Sequence, residues 1–453
     1  MAKNLFSFLK TAPKASVRPV VLDMDWYRWD LGSFWKKLPR MPKFKQNFRY
    51  QCLTQDDIII PQAFNSALGY LNSRVHFIED VIDLEYKGLN LWQIARGCIL
   101  AHANVPHQKY LTTDHLETTT EIISRVVAVI DALPGRLNRL NPHAVIVYEG
   151  TRSLSRAIIE VARQNRIKTI AIANNSLRPG YLFFDSTTGM IVNRHRMARC
   201  GREILEARVF SESQRAHTYQ TWLSGCTRKM AQHSTGGIDT PEDIQQQLGL
   251  APEKPTALLL AHVRNDTSVL YDSPLYDDSV DFITSVIDLF RSKFRDWSLV
   301  VKLHPKEEGG NAPGGYQFNQ ETKHELAKRG YTSEENIHIV ADKKYNTQTL
   351  MRISKIGITE VSQSGLEMAI LGKPVIAAGS AFYGAKGFTW DLSHPITLQP
   401  LLSDAMKASQ NHQSCEQVKK LALNFMTVLF FEELVAEDLS ENSDKIIKVL
   451  EGF

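Results

Sequence analysis

Asp266, His304, and the run Ser362-Gln363-Ser364-Gly365-Leu366-Glu367 each follow a short apolar segment, and each carries groups able to act on an anion or an electrophilic carbon. In Ala261-His262-Val263-Arg264-Asn265-Asp266-Thr267-Ser268, a carboxylate flanked by hydroxyls and an arginine fits a nucleophile or general base. An Asx-type turn cap is the competing reading of Asp266. In Lys302-Leu303-His304-Pro305-Lys306, proline restricts the residue before it and fixes the angle of the imidazole. His304, with Lys302 and Lys306 close by, is placed to meet a phosphate, or is incidental to a strand-end turn. Ser364 and Glu367 have capping-box spacing. The same helix start offers free N–H groups and the positive end of a dipole, which suit an anion.

Two further segments qualify. Asn174-Asn175-Ser176-Leu177-Arg178-Pro179-Gly180-Tyr181 holds Arg178 and Tyr181, which can meet a substrate carboxylate or belong to a plain Pro-Gly turn. Glu149, after an apolar run, is a carboxylate candidate or part of a strand-to-helix turn. The run Gly379 to Asp391 combines Phe382, Tyr383, Lys386, Phe388, Thr389 and Trp390, which is rich for a mere connection, so it is expected to face a ligand.

The elements that must position these residues alternate in type. Ala144–Tyr148 and 168–173 read as strands around an amphipathic helix over 153–164, a βαβ unit and hence a parallel sheet. A long helix is expected over 112–133, ended by Pro134-Gly135. Asp57 to Pro61 reads as a short strand. After the polar, helical stretch 202–247, the punctuation Ala251-Pro252-Glu253-Lys254-Pro255 marks a boundary. Strands then recur at 257–261, 297–303, 337–340, 355–359 and 374–377 with helices between, and the tail from Pro400 is helical. The expected organisation is an α/β domain over 1–250, a second Rossmann-like domain over 251–399, and helices over 400–453 that cross back to the first. Two doubly wound domains facing across a cleft make the GT-B arrangement of nucleotide-sugar transferases.

Composition narrows the classes. The 453 residues exceed one ordinary core. A net charge of +4 is too small to argue for nucleic acid. Five scattered cysteines without a CxxC or a Cys/His cluster support neither a disulfide framework nor a zinc site, so no metal is expected. No run reaches the roughly 20 apolar residues of a spanning helix. Met1 to Lys14 lack a signal-peptide core, and the cytoplasm is the expected compartment. Basic residues from Lys36 to Arg49, interleaved with Trp35, Phe44, Phe48 and Tyr50, read either as a solvated face or as a patch for an anionic membrane surface. No GxGxxG, Walker, GxSxG or HExxH motif occurs, which argues against dehydrogenase, NTPase, serine hydrolase and zincin chemistry.

Taken in order, these motifs resemble the bacterial capsule polysaccharide biosynthesis family of the KpsC and KpsS type, β-Kdo glycosyltransferases. Asn265-Asp266-Thr267-Ser268 is similar to its Asp-containing loop, and Lys302-Leu303-His304-Pro305 to its Lys-x-His-Pro motif. Ser362 to Glu367 with Gly372-Lys373-Pro374-Val375 is similar to its helix start and following strand. Phe382-Tyr383-Gly384 through Gly387-Phe388-Thr389-Trp390-Asp391 is similar to its aromatic loop. Leu177-Arg178-Pro179-Gly180-Tyr181 is similar to a segment of its first domain. The likeness spans about 148–391. Asn174-Asn175-Ser176 departs from the Glu-Glu-Gly or Glu-Asp-Gly the family places there, so the acceptor differs or Glu149 takes that carboxylate's role.

The resemblance implies a capsule or O-antigen glycosyltransferase that moves Kdo from CMP-Kdo, its donor substrate, to a lipid-linked or glycan acceptor. It needs no cofactor, and it retains configuration through a glycosyl-Asp266 intermediate. His304 and Lys302, with Pro305, would serve the donor phosphate. Arg264, Ser362, Gln363, Ser364, Glu367 and Tyr383 would complete the donor site, and Arg178 and Tyr181 would meet the acceptor or donor carboxylate. Partners would be the nucleotide sugar, the glycan acceptor, and the inner membrane's cytoplasmic face or assembly proteins by peripheral contact. The alternatives are another GT-B transferase using a CMP- or UDP-sugar, a nucleotide-sugar epimerase of similar architecture, and a non-catalytic assembly scaffold.

Overall fold

The computed structural model of the chain describes residues 19–23, 51–54, 61–148, 150–174, 181–185, 202–233, 240–264, 266, 269–270, 273, 275–308, 321–341 and 344–433. They fall into two compact units, one of 1–196 with 433–453 and one of 197–432, so most of the tail expected to cross back to the first domain groups with the second.

The first unit contains β1 (Pro19–Asp23), β2 (Gln51–Thr54), α1 (Pro61–Asn72), a two-strand hairpin β3 (Glu85–Tyr86) and β4 (Leu89–Asn90), α2 (Leu91–Ala103), α3 (Leu116–Leu140), β5 (Ala144–Tyr148), α4 (Ser153–Gln164), β6 (Lys168–Asn174) and β7 (Tyr181–Asp185). Its sheet runs β2-β1-β5-β6-β7, parallel except for the antiparallel β6–β7 pair. The βαβ unit predicted from the sequence is present with the expected bounds. The strand predicted at 57–60 falls outside the described residues, and Pro61 opens α1 instead.

One expectation is overturned. Pro134-Gly135 does not end a helix; α3 continues through both to Leu140 and closes on a left-handed Asn141 at φ 44°. Proline removes one hydrogen bond and crowds the preceding turn at a cost of about 3 kcal/mol. Leu133 and Leu137, both fully buried, hold the helix together across that defect, because α3 is packed against α1, α2 and α4. Its start is also shifted, with Thr112 and His115 forming a reciprocal cap over a short 3₁₀ turn.

The second unit contains α5 (Arg202–Ala207), α6 (Glu212–His233), α7 (Pro241–Leu248), β8 (Thr256–Leu260), α8 (Ser279–Ser292), β9 (Ser298–Lys302), α9 (Glu321–Lys328), β10 (Ile337–Val340), α10 (Thr347–Ile353), β11 (Ile356–Thr359), α11 (Gln363–Ile370), β12 (Val375–Ala377), β13 (Thr389–Asp391), α12 (Leu398–Ser409) and α13 (His412–Thr427). The helices of 202–248, which the sequence joined to the first domain, group with this unit.

All six strands are parallel in the order β10-β9-β8-β11-β12-β13. This is the doubly wound Rossmann order, with its reversal between β8 and β11. The strands β8, β9, β11 and β12 are buried at every position, as a sheet covered on both faces requires. Alternate residues Ala257, Leu259, Leu299, Val301, Ile356 and Ile358 meet Phe282, Val286 and Phe290 of α8 and Leu402 and Met406 of α12. On the opposite face a side chain at Gly357 would meet Met368 of α11 at 3.1 Å. The sixth strand, β13, lies inside the run predicted to be a loop. No helix among the described residues is long and apolar enough to cross a membrane.

Candidate functional site

In a parallel sheet all strands point their carboxyl ends to one edge. Register makes those ends coincide here: Leu260 pairs with Lys302, Thr359 with Leu260, and Ala377 with Thr359. Residues just past β8, β9, β11 and β12 therefore gather at that edge. Arg264, Asp266, Lys302, His304, Pro305, Ser362, Gln363, Ser364 and Tyr383 all belong to this group. Glu149 and Arg178 lie outside the described residues, as do Asn265, Thr267, Ser268 and the basic stretch of 36–49. Tyr181 opens β7 in register with Asn174 of the first unit.

Asp266 is exposed and begins a turn, its N–H donating to Val263 O at 3.0 Å and its carbonyl accepting from Leu270 N–H at 3.0 Å. The loop that carries it is fixed by Arg264, whose Nε and Nη2 donate to Asp278 at 3.1 and 2.5 Å. Asp278 in turn caps α8 through the Val280 N–H. The geometry gives Arg264 a positioning role, since its planar fork is closed on a buried carboxylate.

At the end of β9, Lys302 is buried and His304 half-buried. The Glu307 N–H donates to His304 O at 2.9 Å and starts the 3₁₀ turn Pro305–Glu308. Burial pushes the Glu307 carboxyl above its usual range, against the pull of Thr322, whose N–H and hydroxyl both donate to it. That bond anchors the turn after His304 to the start of α9.

The α11 start differs from the predicted capping box. The cap is Ser362, not Ser364: its Oγ accepts from the Ser364 N–H at 3.2 Å. Glu367 does not reach back to it. It is 1 % exposed, and its Oε2 accepts from Gln348 Nε2 at 2.5 Å and from Cys226 Sγ at 3.5 Å. The donor contact expected of Glu367 is corrected accordingly: its carboxylate joins α11 to α10 and α6 inside the unit. Tyr383 is corrected in the same way. It is fully buried, and its hydroxyl donates to Ser362 O at 2.6 Å. Burial, with Asp391 and Glu367 nearby, pushes the phenol well above its usual value, so it stays a donor.

The phenylalanines of the aromatic run pack inside the unit. Phe382 and Phe388 pack on Phe425 of α13, with ring centroids 6.1 and 5.9 Å away. Asp391 Oδ2 accepts from the Ala385 N–H at 3.0 Å and the Thr389 hydroxyl at 2.9 Å, which folds the run back on itself. A side chain at Gly384 would stand 2.7 Å from that same carboxylate, so the fold-back needs glycine there.

Two residues at this edge went unread in the sequence, Glu360 and His262. Glu360 directly follows β11 and is 3 % exposed. Its Oε1 accepts from Ser273 Oγ at 2.8 Å. Burial pushes its carboxyl up, and the nearby His262 opposes this. The criterion that picked out Asp266, a carboxylate past a buried strand, applies equally to Glu360. A group raised in the folded state contributes stability that is present below the ordinary carboxylate pKa and lost as pH rises through the raised value. Glu360→Gln should therefore gain melting temperature relative to the parent on going from pH 5 to pH 8. Thermal melts of both proteins at the two pH values check this, and a constant difference would refute it.

No curated protein matches the chain. Among solved structures, the chain is similar to the Thermosulfurimonas dismutans KpsC beta Kdo 2,4 transferase, at 16% identity over 63% of this chain and 79% of that one, with a TM-score of 0.38. It is similar to the KpsC beta Kdo 2,7 transferase of the same organism at 14% identity over 70% and 89%, TM-score 0.37. A UDP-GlcNAc 2-epimerase from Neisseria meningitidis is similar at 13% identity over 96% and 100%, TM-score 0.36. The family described as capsule polysaccharide biosynthesis protein matches residues 143–412. That span covers more than half of the chain and includes the whole parallel sheet of the second unit with its candidate edge, so this chain belongs to the capsule polysaccharide biosynthesis protein family.

Proposed function

We propose that the chain is a glycosyltransferase of bacterial surface polysaccharide assembly that transfers Kdo from CMP-Kdo to a lipid-linked or glycan acceptor, retaining configuration. Family membership supports a role in polysaccharide synthesis. The observation that carries the reading is the coincidence of strand ends that puts Asp266, the Lys302–His304 pair and the α11 N-terminal turn on one edge. Open α/β sheets bind ligands outside such an edge, at the point where strand order reverses.

In this reading the α11 N–H groups and the half-buried His304 hold the CMP phosphate, with the buried Lys302 behind His304 at the end of β9. The Asp266 carboxylate attacks the anomeric carbon; the bond to the phosphate oxygen breaks, and CMP leaves with the electron pair. The acceptor hydroxyl then attacks the same carbon, its proton passes to a general base, and Asp266 is released. Two inversions give net retention. The acceptor is reached by peripheral contact with the cytoplasmic face of the inner membrane.

Incubation of the purified protein with CMP-Kdo, first without acceptor and then with lipid-linked glycans, tests the reading. CMP release with a protein mass increased by one Kdo is expected. A folded protein that neither binds nor turns over CMP-Kdo would exclude this donor.

A further inference from the structure

We propose that His262 and Glu360 form a protonation-dependent clamp that sets the turn leading into α11 and, through it, the N–H groups that meet the donor phosphate. The proposal deepens the transferase reading and rests on it for the identity of the phosphate. Both residues stand at the reversal of strand order, His262 past β8 and Glu360 past β11, and they are 9% and 3% exposed. Between them the strands are tied by Thr359 Oγ1 donating to Leu260 O at 3.0 Å.

His262 Nε2 accepts from the Val361 N–H at 3.4 Å, a long bond. A ring nitrogen that accepts carries no proton. Protonating Nε2 sets one N–H against another and pushes Val361 away. Glu360, the preceding residue, is electrostatically coupled to His262, and its carboxyl is held in place by Ser273. Protonation thus breaks the bond at residue 361 while residue 360 stays anchored, so the change falls on the turn between them and α11. The next residue, Ser362, is the α11 cap, and its carbonyl is held by Tyr383. A displacement of Val361 reaches the first N–H groups of α11 through this single residue.

Ser273 donates to Glu360, and Tyr276 and Asp278 act on it electrostatically. Asp278 is itself countered by Arg264 and, at 3.7 Å, by Arg329. The carbonyl of Glu360 accepts from the Gly379 N–H at 3.1 Å, which fixes the far side of the turn to the end of β12. His262 is therefore a positioning residue whose charge state changes without touching substrate.

Two readouts test the clamp. The first needs no donor: the Val361 amide is followed by NMR in valine-labelled protein from about pH 5.5 to about 8.5, with Val361→Ile giving the assignment. The amide should shift with pH in the parent and stay still in His262→Gln, whose amide oxygen accepts without titrating. His262→Asn stands in if the glutamine variant does not fold.

The second readout is KM for CMP-Kdo across the same range, a phosphodiester whose own charge is constant there. The parent should show KM rising toward acid by about fivefold or more, the worth of one lost hydrogen bond, while His262→Gln, which keeps an acceptor that does not titrate, should show a flat profile. A Val361 amide that ignores pH, or an acid rise in KM that persists in His262→Gln, overturns the clamp. If the amide titrates as stated but the parent turns over no CMP-Kdo at any pH, the clamp stands and the donor assignment falls.

Discussion

Asp266→Ala is expected to leave the protein folded and to lower Kdo transfer by about a thousandfold or more, the scale of losing a covalent nucleophile. Folding should survive because Asp266 is exposed and backbone atoms close its turn, its N–H donating to Val263 O and its carbonyl accepting from the Leu270 N–H. An exposed substitution of this kind moves stability by about 0.5 kcal/mol or less. The loop around it is held elsewhere, by Arg264 on Asp278. Transfer should fail because no water-borne carboxylate replaces one fixed at the anomeric carbon. The check is CMP release and intact protein mass for parent and variant, with a melting curve of each. An Asp266→Ala protein that still gains the mass of one Kdo would move the nucleophile to another carboxylate.

Gly365→Ala should be among the most damaging single-methyl changes in the second unit. Its Cβ would stand 2.1 Å from Tyr383 Oη, 2.9 Å from Cζ and 3.0 Å from Thr359 Cγ2. Nothing there can yield cheaply, because the Tyr383 ring is fully buried and its hydroxyl is bonded to Ser362 O. Overpacking costs about 1–3 kcal/mol, and the displaced hydroxyl adds roughly 1–2 kcal/mol by leaving a polar pair unmade. The sum corresponds to a fall in melting temperature of about 10 °C for a unit of this size. Tyr383→Phe alone should cost about 1 kcal/mol. The double variant should be less damaged than the sum of the two, since removing the hydroxyl also removes the closest clash. Strict additivity in thermal unfolding would show that Tyr383 does not occupy this space.

How much of this was legible follows from where each signal comes from. The strands β8, β9, β11 and β12 could be read because burial on both faces forces unbroken runs such as Ala257-Leu258-Leu259-Leu260. The gathering of Asp266, His304 and Ser362 at one edge followed from strand direction alone. Side-chain direction did not. Tyr383, Phe388 and Glu367 looked like ligand groups by type, yet each is turned into the unit, where a polar tip on an apolar body needs only one partner. Pro134 reads as a stop in any local rule, and only the burial of Leu133 and Leu137 overrides it. Glu360 hid because it adjoined a motif that already had an explanation. The strand β13 is three residues long at a sheet edge, with half-exposed side chains that mimic a loop.

The shared register of β9, β8 and β11 has a consequence for what this edge can measure. Neighbouring strands lie about 4.8 Å apart, so the backbone carrying His304 and the backbone entering α11 are separated by about 10 Å, two spacings with β8 between them. That width is a ruler made of main-chain hydrogen bonds, and no side-chain substitution can recalibrate it. Selectivity among donors of different length must then be written in the loops beyond the strands, where a residue can be inserted without disturbing the scale.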